Sequence, residues 1–145
     1  MTKEYNLIGI DPGLNTTGYG IVTIKSKQIT YKASGVITTD SNETEFLRLK
    51  EIFTGISEIV EKFRPTHAVV EKIFVNINAS STLSLGQARG VVIAALALHQ
   101  MHVHELTPLE IKKSVVGTGR ASKKQVQFMI QNLLNLRNLL KLRNQ

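Results

Sequence analysis

The chain has no cysteine among its 145 residues. That excludes a disulfide scaffold, a thiolate zinc site and a cysteine nucleophile. It has no acidic residue after Glu110; all eleven carboxylates lie at or before that position. The apolar run at residues 91–98 is too short to span a bilayer. Residues 1–6 carry neither an extended apolar segment nor a small-residue cleavage site. No secretory signal is evident, and a soluble, cytoplasmic protein without a membrane partner is expected. No repeat, low-complexity linker or composition break marks a domain boundary, and the length suits one domain with a real core.

Hydrophobic residues make up 42% of the chain, which excludes disorder throughout. The formal net charge is +7 and unevenly spread. Residues 111–145 hold Lys112, Lys113, Arg120, Lys123, Lys124, Arg137, Lys141 and Arg143 against no acid. A block of one sign on a folded element is the footprint of a polyanionic partner such as nucleic acid. The plainer reading is a solvated basic surface.

Residues 5–11, 18–25 and 28–37 read as three strands joined by short turns, with a tight hairpin at Lys25-Ser26-Lys27-Gln28. Phe46, Leu49, Phe53, Ile56, Val60 and Phe63 recur three and four residues apart, which predicts an amphipathic helix over residues 43–63. Asp40, Ser41 and Asn42 are its N-cap candidates, and Pro65 stops it. Residues 67–73 read as a strand apolar on both faces, 81–99 as a second helix and 102–106 as a fifth strand. A short helix over 108–114 and a last amphipathic helix through Val126, Met129, Ile130, Leu133 and Leu134 follow. The order β-β-β-α-β-α-β-α implies an α/β fold: one mixed five-stranded sheet with helices on both faces.

Two acids stand in apolar strand sequence: Asp11 in Leu7-Ile8-Gly9-Ile10-Asp11-Pro12-Gly13, and Glu71 in Ala68-Val69-Val70-Glu71. Buried carboxylates need a partner. If the two strands are neighbours and both acids point to one end, they form a pair of hard oxygen ligands suited to Mg²⁺ or Mn²⁺. Separately, Asp11 reads as a turn former and Glu71 as a strand-end acid facing solvent. His102 and His104 alternate on a strand and share a face, but no third ligand is evident for a metal. Gly117-Thr118-Gly119-Arg120 is able to hold a phosphate through backbone amides. A phosphate loop of the actin-like nucleotide binders is a further reading of the glycines after Asp11, but the chain is too short for that two-lobed architecture.

The combination of blocks is more specific than any one of them. Gly9-Ile10-Asp11-Pro12-Gly13 with Thr17-Gly18-Tyr19-Gly20 resembles the start of the RuvC family of Holliday-junction resolvases. So do Glu71-Lys72-Ile73-Phe74, then Asn78-Ala79, then Leu85-Gly86-Gln87-Ala88-Arg89-Gly90. Lys112-Lys113-Ser114-Val115-Val116-Gly117-Thr118-Gly119, with Lys123 and Gln125-Val126, completes a match over roughly residues 7–134. The resemblance implies a single RNase H-like nuclease domain over 1–145 and a crossover junction endodeoxyribonuclease that makes paired, Mg²⁺-dependent nicks, with Mn²⁺ as a substitute. It implies four-way junction DNA, a homodimer and a branch-migration complex of RuvA and RuvB as partners. Asp11 and Glu71 match the family's first two metal ligands, and Phe74 an aromatic that stacks at the junction centre. Lys112 and Lys123 match basic residues near the scissile strand. Lys113, Arg120 and Lys124 fall in the same basic segment, and Arg89 is placed to reach DNA or cap an interface. Gly86, Ala88 and Gly90 suit close packing of the second helix on a partner helix, in the region the family uses near its dimer interface. The alternative is packing on the chain's own sheet.

The match fails at one place. The family carries an acidic helix with an Asp-Ala-Ala-Asp pattern, in some members with a histidine. Here no acid follows Glu110 and no histidine follows His104. The expectation is a C-terminally incomplete domain that keeps DNA affinity and loses most cleavage. Its alternative statement is a cleavage-deficient four-way-junction binder.

Overall fold

The computed structural model describes residues 4–25, 28–72 and 79–106. Its elements are β1 (Glu4–Asp11), β2 (Thr16–Lys25), β3 (Gln28–Thr38), α1 (Glu45–Phe63), β4 (His67–Glu71), α2 (Ala79–Leu98) and β5 (His102–Leu106). The five strands form one sheet in the order β3-β2-β1-β4-β5. The first three make an antiparallel meander, with Lys25 paired to Gln28 across a two-residue connection. β4 lies parallel to β1, and β5 parallel to β4. Parallel neighbours need crossover connections, and α1 and α2 supply them.

Alternation along β1 explains the core. Ile8 and Ile10 are fully buried on one face with Ile21, Ala68 and Val70. α1 covers that face with Ile52, Ile56 and Val60, and α2 with Ala88, Val92, Ala95 and Leu96. Leu7, Val22, Ile24 and Val69 are buried as well, outside that cluster. β4 is buried at Ala68, Val69 and Val70, as its interior position demands. Both described helices therefore pack on one face. The segments expected to form helices at 108–114 and 126–134 lie outside the described residues.

The start of α1 corrects the capping expectation. The helix begins at Glu45 with Thr44 as N-cap, not at Asp40, Ser41 or Asn42. The Asp40 Oδ1 accepts the Asn42 N–H at 2.9 Å, and its carbonyl accepts the Glu43 N–H at 3.1 Å. An Asp side chain that binds the backbone two residues on makes a turn in place of a cap. The far end behaves as expected. Arg64 adopts the left-handed conformation (φ 48°), its N–H bonds the Val60 carbonyl at 2.8 Å, and Pro65 prevents continuation.

α2 carries apolar residues on two sides. Its outward side exposes Leu83 (66%) and Leu98 (67%), with Gln87, Gly90, Ala94 and Ala97 exposed between them. Ala88 faces the chain's own core, whereas a Cβ placed on Gly90 would meet nothing within 4 Å. The apolar stretch is longer than residues 91–98. The window Ser80–Leu98, at mean hydropathy 1.3, is long and apolar enough by length and composition to cross a bilayer. Of that window 22% is buried, through the fully buried side chains of Ala88, Val92, Ala95 and Leu96 that α2 sets in the core.

Candidate active site

β1 and β4 are parallel with Leu7 beside His67, Ile8 beside Ala68, Gly9 beside Val69 and Ile10 beside Val70. Both strands end one residue later, at Asp11 and Glu71. The same register sets these two acids side by side, on strands roughly 4.8 Å apart. Ile10 and Val70 face the helix layer, so the alternation of a strand turns both carboxylates to the opposite face. Both residues are half-buried. On the other side of Asp11 stands Gly18, its β2 partner, where an added Cβ would meet no atom within 4 Å.

The turn after Asp11 is tightly tied. The fully buried Thr17 hydroxyl donates to the Gly13 carbonyl at 2.7 Å and accepts the Gly13 N–H at 3.2 Å. Gly13 approaches the chain so closely that a Cβ there would lie 2.4 Å from the Thr16 carbonyl oxygen. Further along, the Thr39 hydroxyl donates to the Leu14 carbonyl at 2.6 Å and the Thr39 N–H to the Asn15 carbonyl at 3.1 Å. Arg48 of α1 donates from Nε to the Thr39 hydroxyl at 3.0 Å and from Nη2 to the Asn15 side-chain oxygen. The Glu71 end is held from the same helix layer. Arg89 of α2 donates from Nε to the Glu71 backbone carbonyl at 3.1 Å and pairs through Nη2 with the Glu105 carboxylate at 2.5 Å.

Two carboxylates at the ends of adjoining strands are a donor set that fits a hydrated hard divalent cation. Among the described residues no group of three or more His, Asp and Glu side chains is arranged to hold a metal. His102 and His104 do share a face, and His67 of β4 joins them, with ring centroids 5.4 and 5.9 Å from theirs. Burial, and then the neighbouring His102 and His104, push the His67 imidazole below its ordinary pKa. Phe74, Lys112, Lys113, Arg120, Lys123 and Lys124 lie outside the described residues, as does the loop at Gly117-Thr118-Gly119.

The family model of the crossover junction endodeoxyribonuclease RuvC matches residues 7–144. This chain belongs to the RuvC family. The RuvC of Ralstonia nicotianae is 51% identical over 130 residues, covering 90% of this chain and 72% of that relative. The RuvC of Dechloromonas aromatica is 49% identical over 130 residues, covering 90% and 73%. The solved structure of Thermus thermophilus RuvC aligns with TM-score 0.71 at 27% identity, over 90% of this chain and 80% of that one. A second structure, T. thermophilus RuvC in complex with Holliday junction substrate, aligns with TM-score 0.71 at 24% identity, over 90% and 79%, and likewise shows the RNase H-like fold. RuvC proteins are endodeoxyribonucleases, metal-dependent phosphodiester hydrolases, and this chain is one of them by family.

Within the five-stranded sheet and its helices, sequence reasoning missed three features. His67 joins His102 and His104 only because β4 pairs with β5 in the register His67 beside His102. Arg89 lies next to Glu71 and Glu105 only because α2 returns over the ends of β4 and β5. Thr17 was legible within Thr17-Gly18-Tyr19-Gly20, and its hydrogen bonds to Gly13 are a third feature that only the fold supplies.

Proposed function

We propose that this chain binds four-way junction DNA and nicks it through Asp11 and Glu71 as ligands of Mg²⁺, with Mn²⁺ as a substitute. The observation that carries the reading is the parallel register of β1 and β4, which brings two acids sixty residues apart in sequence to the same end of two neighbouring interior strands. A cation held there lowers the pKa of a bound water and offsets charge on the phosphate. The protein's own part is placement. The pairing of β1 with β4, and strand alternation, put both acids on one face. Lys112, Lys113, Arg120, Lys123 and Lys124 neutralise phosphates and set affinity and salt dependence. Phe74 stacks on a base at the junction centre, a contact worth roughly 1–3 kcal/mol.

The outward side of α2 supports a homodimer. Leu83 and Leu98 are exposed at its two ends, and Gly90 between them permits close approach of a second helix. The same apolar side, with the opposite side seated in the core, fits a soluble dimer in the cytoplasm better than a membrane span. By resemblance to the family, the proposed partners also include a branch-migration complex of RuvA and RuvB.

The test is a labelled four-way junction with and without Mg²⁺. Symmetric nicks that Asp11→Asn abolishes, at unchanged junction affinity, support the nuclease reading. Tight, junction-selective binding with no nicks at any Mg²⁺ or Mn²⁺ concentration would instead assign this chain a binding role. No preference for a junction over linear duplex sinks both.

A further inference from the structure

Arg89 occupies a place where a DNA contact was expected, yet its guanidinium is turned into the protein. The side chain is 16% exposed. Nε donates to the last carbonyl of β4, that of Glu71, and Nη2 meets the carboxylate of Glu105 on β5. Glu105 pairs with Val70 in the ladder, so both anchors lie at the same end of the sheet. The guanidinium is planar and its donors are fixed in a fork. One donor on the β4 backbone and another on a β5 side chain therefore lock the end of β4 against both α2 and its neighbouring strand.

That lock acts on a particular atom set. Glu71 is the final residue of β4. Strand ends fray when their carbonyls lose partners, and fraying here would move the Glu71 carboxylate relative to Asp11. Arg89 grips the Glu71 main chain from the helix layer while the Glu71 side chain stands on the opposite face. It thus constrains the ligand without competing for the carboxylate's place.

We propose that Arg89 is a positioning residue: by holding the Glu71 carbonyl, with Glu105 as its own anchor, it sets the cation affinity of the Asp11–Glu71 pair. This rests on the reading that the pair holds a divalent cation. Partners that orient metal ligands from behind typically change metal affinity 10- to 100-fold when removed.

The experiment titrates Mn²⁺ against the full chain without DNA, reading free Mn²⁺ by electron paramagnetic resonance. It is run well below the melting temperature of every variant, as set by circular dichroism. Junction affinity is measured in parallel in EDTA. Arg89→Lys keeps the charge and loses the fork; it is expected to weaken Mn²⁺ binding about 10-fold and to leave junction affinity in EDTA within twofold. Glu105→Gln keeps an acceptor but loses the ion pair, and is expected to weaken Mn²⁺ binding in the same direction by a smaller factor. A merely structural arginine would lower the melting temperature with no change in Mn²⁺ affinity, and that result overturns the proposal. A drop in junction affinity at unchanged Mn²⁺ affinity overturns it in favour of a DNA contact. A wild-type Mn²⁺ affinity no greater than that of Asp11→Asn overturns the cation reading itself. That failure is distinguishable, because in the first two cases the wild-type chain binds Mn²⁺ and Asp11→Asn does not.

Discussion

Thr17→Val isolates the hydrogen bonds that shape the turn after Asp11. Thr17 is fully buried, and its hydroxyl is both donor to the Gly13 carbonyl (2.7 Å) and acceptor from the Gly13 N–H (3.2 Å). Valine has nearly the same shape, so the substitution opens no cavity and keeps the strand-compatible branch at Cβ. What it removes is two bonds of about 1 kcal/mol each, and it leaves the half-buried Gly13 amide and carbonyl short of a partner. The expected cost is about 2 kcal/mol. For a domain of this length that lowers the melting temperature by roughly 6 °C. Thr17→Ser is the control: it keeps the hydroxyl and loses one methyl, about 1 kcal/mol, so its melting temperature should fall by about half as much. Thermal unfolding followed by circular dichroism at 222 nm reads both. If Thr17→Val melts within a degree of the wild type, the turn does not depend on the hydroxyl. If serine costs as much as valine, the methyl and its packing matter, and the hydrogen-bond argument fails.

Two further predictions rest on local surroundings. Gly13→Ala places a Cβ 2.4 Å from the Thr16 carbonyl oxygen, a backbone atom that moves only with the turn; overpacking of this kind costs about 1–3 kcal/mol, and both melting temperature and Mn²⁺ affinity should fall, whereas an unchanged melting curve would show that the turn relaxes freely. His67 has a pKa lowered by burial and then by His102 and His104; the unfolded chain therefore takes up a proton near pH 6.5 before the folded one does, so stability present above pH 6.5 is lost as pH falls below it. Urea midpoints at pH 7.5 and 5.5 should separate more for the wild type than for His67→Gln, and equal separation would refute the assignment.

The strands and α1 were legible because burial imposes a period. Ile8 and Ile10 alternate with Gly9 in β1, and Ile52, Ile56 and Val60 recur at helical spacing in α1. The boundaries of β1, β3, α1 and β5 fall within two residues of those read from the sequence. The N-cap was misread because Asp, Ser and Asn serve turns and caps through the same side-chain bonds, and only the fold decides which backbone amide lies within reach. Asp11 and Glu71 were recognisable as acids in apolar runs, and the fold makes them neighbours. The engagement of Arg89 was not legible. An arginine in an apolar helix reads as a surface charge until the return of α2 over β4 and β5 puts a carbonyl and a carboxylate in front of it.

The carboxylate pair is held in place by what lies behind it. A strand that slips by one residue turns every side chain to the other face. A slip of β1 against β4 would move Asp11 into the helix layer and leave Glu71 alone on the opposite face. The same slip would carry Ile8 and Ile10, both essentially unexposed, out of the core they share with Ala68, Val70, Ile52 and Ile56. Burying each of those isoleucines stabilises the fold by about 1.5–3 kcal/mol, so the register is fixed by packing on the face that carries no chemistry. Packing of this kind weakens where the ladder stops, one residue before the acids. Each acid keeps a sheet partner on its other side, Asp11 with Gly18 and Glu71 with Leu106, and the helices add polar contacts: Arg48 to Thr39 and Asn15 beyond Asp11, and Arg89 to the Glu71 carbonyl. Apolar burial selects the face, and the two arginines hold the ends.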